Sequence, residues 1–284
     1  MSRDDGIHVG VTEAASAVAD TERDRASGEF IQSLDRGLAV IRAFSNEHDL
    51  LSLADVAKIT NLSRASVRRA LLTFETLGYV GSKQNRFYLR PRVLDLGYAF
   101  LSSSSSVDIT QDHLRRLSAR IGESVSACEY DDGDVVYVAR AAAETIMPIR
   151  LGIGRRLPAF CTSTGRVLLS EFDEDSLDAF FRTYPREKLS PATIIDEHEL
   201  RDHIAQAREQ GWSLNDREVD LGARSIAAPV IGPDGRFVSA ANISISTSRM
   251  PAERLREEHL PQLLETTSQI SADLSRLSRR KTYE

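Results

Sequence analysis

An α+β fold in two unequal parts is what the sequence predicts, and three observations predict it. Between Ser52 and Val80 two short helical patterns meet at a tight turn and run on into a strand. A run of serines from Ser102 to Ser106 then interrupts the chain. Beyond Val107, strand patterns alternate with amphipathic helical ones, and the turns Asp131-Asp-Gly133 and Pro233-Asp-Gly235 mark hairpins. At 284 residues the chain has room for two domains with separate cores.

The elements follow in order. Residues 1–29 carry many acidic residues and few bulky apolar ones, and no apolar run that would make them a signal peptide, so a disordered tail is expected there. Leu34, Leu38, Ile41 and Phe44 share one face of a first helix. Leu50, Leu51 and Leu53 form a short strand-like run leading into a second helix from Ala54. Thr60-Asn61-Leu62 is the turn, with Asn suited to a local side-chain bond. Ser63 stands as N-cap of a third helix, whose Val67, Leu71 and Phe74 recur at i, i+4 and i+7 and form its buried face. Gly78 ends that helix. Tyr79–Ser82 and Arg86–Leu89 then flank the polar tip Lys83-Gln-Asn85 as two short strands. Two helices, a tight turn and a following hairpin are the layout of a winged helix-turn-helix, expected over residues 30–90.

This part has a distinctive charge. The whole chain carries a net charge of −6, yet between residues 64 and 92 Arg64, Arg68, Arg69, Lys83, Arg86, Arg90 and Arg92 face only Glu75. Such a local basic patch is the footprint that DNA binding requires. A helix seated in the major groove reads bases with its N-terminal residues, so Ser63, Arg64, Ala65, Ser66, Arg68 and Arg69 are the candidate readers. Lys83 and Arg86 at the wing suit phosphates, which position a protein without specifying sequence.

Residues 91–106 are expected to be a linker helix, apolar through Val93, Leu94, Leu96, Phe100 and Leu101, ending in the flexible serine run. So apolar a helix calls for a partner, and a second copy of the chain is the expected one. From 107 to 278 a second domain is expected, with helices at Ile109–Gly122, Ser163–Leu169, Glu174–Arg182 and Glu197–Gly211. Its strands are expected at Ser126–Tyr130, Val135–Ala139, Ile146–Leu151, Ser225–Val230 and Phe237–Ser246. A closing helix from Glu253 to Leu277 sets Leu255, Leu260, Leu264, Ile270 and Leu274 on one stripe, and residues 279–284 form a tail.

Several functions are excluded. Cys128 and Cys161 make neither a disulfide framework nor a metal cluster, and the histidines are scattered, so no metal or cofactor is expected. Cys161 precedes a helix in Cys-Thr-Ser-Thr-Gly165 but has no base motif to activate it, which argues against catalysis. His113, His198 and His203 read as surface residues of amphipathic helices. Arg150, Arg155, Arg156 and Arg224 of the second domain read as surface charges, with a reach to a bound carboxylate as the alternative. No apolar run reaches membrane-spanning length, so a cytoplasmic location is expected.

Five stretches together carry a family resemblance. They are Ser33-Leu-Asp-Arg-Gly-Leu-Ala-Val-Ile41, Leu77-Gly-Tyr-Val80, Tyr88-Leu-Arg-Pro-Arg-Val-Leu-Asp-Leu-Gly97, Leu157-Pro-Ala-Phe-Cys-Thr-Ser-Thr-Gly-Arg-Val-Leu-Leu169 and Ile226-Ala-Ala-Pro-Val-Ile-Gly-Pro-Asp-Gly235. In this order, from about Phe30 to about Leu277, the chain resembles the IclR-type transcriptional regulators. Arg166-Val-Leu-Leu169 and Phe87-Tyr-Leu-Arg-Pro-Arg92 resemble the branch regulating protocatechuate and β-ketoadipate catabolism.

The resemblance implies a winged helix-turn-helix, a linker helix and a GAF-like effector-binding domain, in a dimer or a dimer of dimers on a near-palindromic operator. It also implies a ligand site formed by Ser163, Thr164, Asn215, Asp216, Ser225, Asn242 and Ser244, with Ile146, Ile149 and Leu157 as apolar walls. Asn242 and Ser244, two apart on a strand, share a face. The polar lining suits a small carboxylate, either an aromatic acid or a keto acid. Two other classes stay open: an architectural DNA-binding protein without an effector, and a GAF-domain enzyme using Cys161.

Overall fold

The computed structural model describes residues 30–44, 48–103, 105–143 and 151–281. The expected tail at 1–29, Ile146 and Ile149, and nearly all of the expected strand at 146–151 lie outside them. The chain divides into two compact units between Ser104 and Ser105.

The first unit follows its local capping chemistry. Helix α1 (Gln32–Arg42) buries Val40. Strand β1 is only Leu51–Ser52, because Ser52 is already the N-cap of α2 (Leu53–Thr60). The Asp55 N–H donates to Ser52 Oγ at 3.2 Å and the Ser52 N–H returns to Asp55 Oδ2 at 2.9 Å, a capping box. Asn61 then enters the left-handed region at φ 53°, a conformation that asparagine tolerates. Ser63 Oγ accepts from the Ser66 N–H at 3.2 Å and opens α3 (Arg64–Thr76). Strands β2 (Val80–Lys83) and β3 (Arg86–Leu89) join through Gln84 and Asn85, both left-handed, the two-residue turn that suits the strand twist. Strand β1 pairs with β3, giving the order β1-β3-β2. Val40, Val56, Val67, Leu71 and Val80 are fully buried at the centre.

After a 3-10 turn at Pro91–Val93, α4 spans Leu94–Ser103. The expected flexible serine run is therefore helical up to Ser103, and helix resumes from Ser105. Serine costs only about half a kcal/mol per helical position against alanine, too little to melt a helix between amphipathic flanks.

The second unit is one antiparallel six-stranded sheet in the order β6-β5-β4-β9-β8-β7. Its strands are β4 (Ser124–Asp131), β5 (Asp134–Ala141), β6 (Arg156–Pro158), β7 (Ser213–Asp216), β8 (Ala223–Ile231) and β9 (Phe237–Ser246). Helix α5 (Ser105–Ile121) packs on β4 and β5, and a long closing helix packs on β8, β9 and α5. The other face carries a 3-10 turn (Ala159–Cys161), then α6 (Ser163–Leu169), α7 (Glu174–Thr183) and α8 (Glu197–Gln210). Their core joins Phe160, Leu168, Phe172, Phe180, Leu200 and Ile204 to Cys128, Ala227 and Ala240 of the sheet. Gly165 lets α6 approach the 3-10 turn: a Cβ there would lie 2.0 Å from the Ala159 carbonyl oxygen.

The closing helix departs from a single stripe. It starts as α9 (Ala252–Arg254), passes through a π turn at Leu255–His259 and continues as α10 (Leu260–Lys281), so residues 279–281 are helix rather than tail. Pro261 has no N–H to give, and the Leu260 N–H reaches back to the Leu255 oxygen, one residue further than in an α-helix. The turn shifts the phase, so Leu263 is fully buried and Leu264 is exposed. His113, expected at the surface, is also buried and bonds Asp273 at 3.0 Å. No helix among the described residues is long and apolar enough to cross a membrane.

Candidate DNA interface and ligand cavity

In the first unit the helix α3 holds its candidate readers outward because Val67 and Leu71 are pinned in the core. Arg64, Ala65, Arg68 and Arg69 are exposed at its start and middle. Ser63 and Ser66 differ from them, since Ser63 Oγ caps the helix and donates to Ser66 Oγ at 3.0 Å. Their hydroxyls set the helix end rather than stand free. At the wing, Lys83 and Arg86 are paired across the hairpin and both exposed, and Arg86 also reaches the Leu50 carbonyl at 3.4 Å. Arg92, part of the basic patch, is fixed by Leu77 O at 2.8 Å and by the Tyr79 ring at 5.4 Å.

In the second unit a cavity of about 40 Å³ opens where the start of α6 meets the ends of β7, β8 and β9. Strand alternation decides which side chains enter it. Asn215 on β7, Ser225 on β8, and Asn242 and Ser244 on β9 face it, together with Ser163 and Thr164. Ser163 Oγ and Ser225 Oγ lie 2.7 Å apart, and Asn242 Nδ2 donates to Ser244 Oγ at 2.9 Å. Leu157, Leu151 and Tyr137 supply apolar wall, as does Val219. Leu151, Tyr137, Val219 and Thr162 escaped sequence reasoning, because only the pairing of β5 with β4 and β6 brings Tyr137 and Leu157 to this end of the sheet.

Asp216 does not join them. It follows Asn215 on β7, so its side chain turns to the opposite face, where Arg224 donates to its Oδ1 at 2.8 Å and to the Met250 carbonyl. Arg224 borders the cavity through its place on β8, but its guanidinium is held on that opposite face with Asp216. Arg155 stays exposed, and Arg156 pairs with Asp131 and Asp134 at the far hairpin. With the Arg224 guanidinium held away, the cavity is a mostly apolar pocket into which a few neutral hydroxyl and amide groups project.

Two of its atoms are left wanting. Thr164 Oγ1 and Asn242 Oδ1 are buried without a nitrogen or oxygen partner, in residues 1% and 3% exposed. Unpaired buried acceptors and hydroxyls cost free energy unless something binds them. Beneath the cavity the floor is fully satisfied: Asn215 Nδ2 donates to Cys161 O at 2.6 Å and to Glu218 Oε1 at 3.1 Å. Arg166, itself buried, forks onto both Glu218 oxygens at 2.7 Å.

Neither cysteine behaves as a nucleophile. Burial pushes the Cys161 thiol up to about 12, with the Glu218 carboxylate adding to it, and burial does the same to Cys128. An activated cysteine moves the other way. Among the described residues no cluster of three or more His, Cys, Asp or Glu could hold a metal ion.

Comparison with known proteins places both units. Residues 33–83 match the profile of the IclR helix-turn-helix domain, and residues 99–272 match that of the bacterial transcriptional regulator IclR C-terminal domain. The chain is 36% identical over 247 residues to the Pca regulon regulatory protein of Pseudomonas putida, covering 87% of this chain and 85% of that one. A crystal structure from Rhodococcus sp. RHA1 is 43% identical, with a TM-score of 0.76 over 87% of this chain and all of that one. The inducer-binding domain of an Acinetobacter PobR transcription factor double mutant, solved with 3-hydroxybenzoic acid, is 31% identical, with a TM-score of 0.56. It covers 58% of this chain and 97% of that domain.

Proposed function

Because the chain belongs to the IclR family of bacterial transcriptional regulators, we propose that it binds specific operator DNA through its first unit and answers a small carboxylate bound in the second. It is a regulator and not an enzyme. In this reading Arg64, Ala65, Arg68 and Arg69 of α3 enter a major groove, and Lys83 and Arg86 of the wing lie on the phosphate backbone. Ser63 and Ser66 hold the helix end that aims them. A dimer or dimer of dimers reads paired half-sites, so the operator is a near-palindrome, and the protein acts in the cytoplasm where that DNA is. The domain limits proposed for these roles are 30–90 for DNA, 91–106 for the connection and 107–278 for the effector.

The observation that carries the effector reading is a buried amide oxygen without a partner, Asn242 Oδ1, in a cavity that it shares with the hydroxyls of Ser163, Thr164, Ser225 and Ser244. The 3-hydroxybenzoic acid in the PobR inducer-binding domain supports a carboxylate of this size. At about 40 Å³ the cavity is far below the ~300 Å³ of an ordinary ligand pocket, so an aromatic acid fits this reading only if its walls can move apart. Movement that accompanies binding is what allows a ligand to favour one arrangement of a regulator over another.

The test is selection of bound genomic fragments by the purified protein, repeated with a panel of aromatic and keto acids. A shared near-palindrome whose binding changes with one acid is the expected result. Fragments without a common motif would discard the specific-operator reading, and a motif indifferent to every acid would leave an architectural DNA-binding protein.

A further inference from the structure

We infer that Arg140 is the cation that holds the carboxylate of the effector, so that the acid lies with its charged end over β4 and its other end towards the start of α6. This rests on the effector reading above and adds to it the residue that recognises the charge and the direction in which the acid lies. Residues directly opposite one another on antiparallel strands share a face of the sheet. Asn242 on β9 stands opposite Ser126 on β4, and Ser126 stands opposite Arg140 on β5. The three form one row across the cavity face, with neighbouring strands about 4.8 Å apart. Arg140 Nη1 donates to Ser126 Oγ at 2.9 Å, so the guanidinium points along that row. One serine side chain separates it from Asn242, which lines the cavity.

Among the described residues this guanidinium bonds Ser126 and meets no carboxylate. The groups that bear on it electrostatically are the Tyr137 phenol and the Cys128 thiol, both kept neutral by burial. Burial also lowers the pKa of Arg140 itself, as it does for a cation drawn from water without a counter-ion. The other arginines near the cavity are already spent, Arg166 on Glu218 and Arg224 on Asp216. The start of α6 competes poorly for an anion, because Thr162 takes its Gly165 N–H through Oγ1 and its Arg166 N–H through the carbonyl, each at 3.1 Å. Asn242 completes the row: its Nδ2 gives one hydrogen to Ser244 Oγ and keeps a second. A carboxylate over Ser126 takes the fork of Arg140 and that spare N–H, which leaves the Ser163 and Thr164 hydroxyls for the opposite end. Arg140 stands outside the present wall of the cavity, so room for the acid opens on the Ser126 side.

The experiment is calorimetry on the full chain with benzoate, 4-hydroxybenzoate, 3,4-dihydroxybenzoate and 3-oxoadipate, each beside its neutral amide, for the wild type, Arg140→Gln and Arg140→Lys. The wild type is expected to bind at least one acid about tenfold or more tightly than its amide. In Arg140→Gln that preference falls to within about twofold while the amide binds as it does to the wild type, a split that a merely structural role would not produce. Should glutamine unfold the chain, Arg140→Lys decides: it keeps the charge and loses the fork, so the acid is weakened at least about threefold more than the amide. A preference for the acid that survives in Arg140→Gln, an equal loss of acid and amide in either variant, or acid and amide bound alike by the wild type overturns the inference and leaves the effector reading standing. Heat from none of the four acids overturns the effector reading, and the inference with it.

Discussion

Arg166 and Glu218 form a buried ion pair at the centre of a wider hydrogen-bond network. The guanidinium forks onto both carboxylate oxygens at 2.7 Å and gives its Nε to Phe160 O, while Glu218 also takes the Asn215 amide and the Ile194 N–H. Removing one member leaves the other charge buried, which costs about 3–5 kcal/mol. Arg166→Met is therefore expected to lower the melting temperature by roughly 6–20 °C, at about 2–4 °C per kcal/mol for a domain of this size. The double variant Arg166→Met/Glu218→Leu should recover part of that loss, and a loss equal to the sum of the two single changes would contradict the pairing. Glu129 gives a pH signature. Burial first, and the Asp131 carboxylate second, push its carboxyl up to about 7, against 4.5 in the unfolded chain. A raised acid stabilises the fold fully below 4.5 and loses that contribution as pH rises through 7. Glu129→Gln should flatten this decline and raise the melting temperature at pH 8, by an amount set by about 1–2 kcal/mol after allowance for its partial exposure. Residue by residue, the lining of the cavity was legible in part. Ser163, Thr164, Ser225, Asn242 and Ser244 meet in one cavity. Asp216 does not, because spacing alone cannot say which of two adjacent strand residues faces inward. Arg166 showed in the sequence only as part of a motif, since nothing in its neighbours reveals a partner 52 positions away.

Among elements, the helix-turn-helix was legible because each boundary has a local cause: Asn61 in the left-handed region, Ser63 as cap, Gly78 at φ 83°. The two strands β6 and β7 were not. Arg156-Leu-Pro158 is three residues beside a glycine-rich turn, and Ser213-Leu-Asn-Asp216 has little strand propensity of its own. Both exist because a neighbour, β5 or β8, offers a hydrogen-bonding edge. The π turn before Pro261 was hidden for a related reason, since a period-3.6 pattern carries no sign of one inserted residue. Helix α3 and the wing make separable predictions. Arg68 is exposed on α3 above a pinned core face, and Lys83 sits at the hairpin tip. Arg68→Ala should weaken operator binding by about 1–3 kcal/mol and relax the sequence preference at one position. Lys83→Ala should weaken binding to all sequences alike and reduce the slope of log affinity against log salt by about 1. Titrations on operator and random duplexes at several salt concentrations distinguish the two. Equal behaviour of both variants would mean that α3 does not read bases.

Across the whole molecule two properties follow from having a DNA unit and a ligand unit in one chain. Leu94 and Tyr98, four apart on one face of α4, are 72% and 69% exposed, an apolar surface that an isolated monomer gains nothing by keeping. Covering that face with a second copy would join two reading helices. Tyr98→Glu is then expected to shift the mass measured by analytical ultracentrifugation towards the monomer and to weaken binding to a full operator far more than to a half-site. An unchanged mass would place the interface elsewhere. The second property is thermodynamic and does not depend on how the units are arranged. If an acid in the Asn242 cavity changes operator affinity by some factor, the operator must change affinity for the acid by the same factor. The coupling expected of such a regulator is about 1–3 kcal/mol, or roughly 5- to 150-fold. Measuring operator affinity at saturating acid, and acid affinity at saturating operator, should give one number from both sides. An acid that alters transcription but leaves both affinities unchanged would mean that the ligand acts after binding, on the geometry of the bound DNA, and not on the occupancy of the operator.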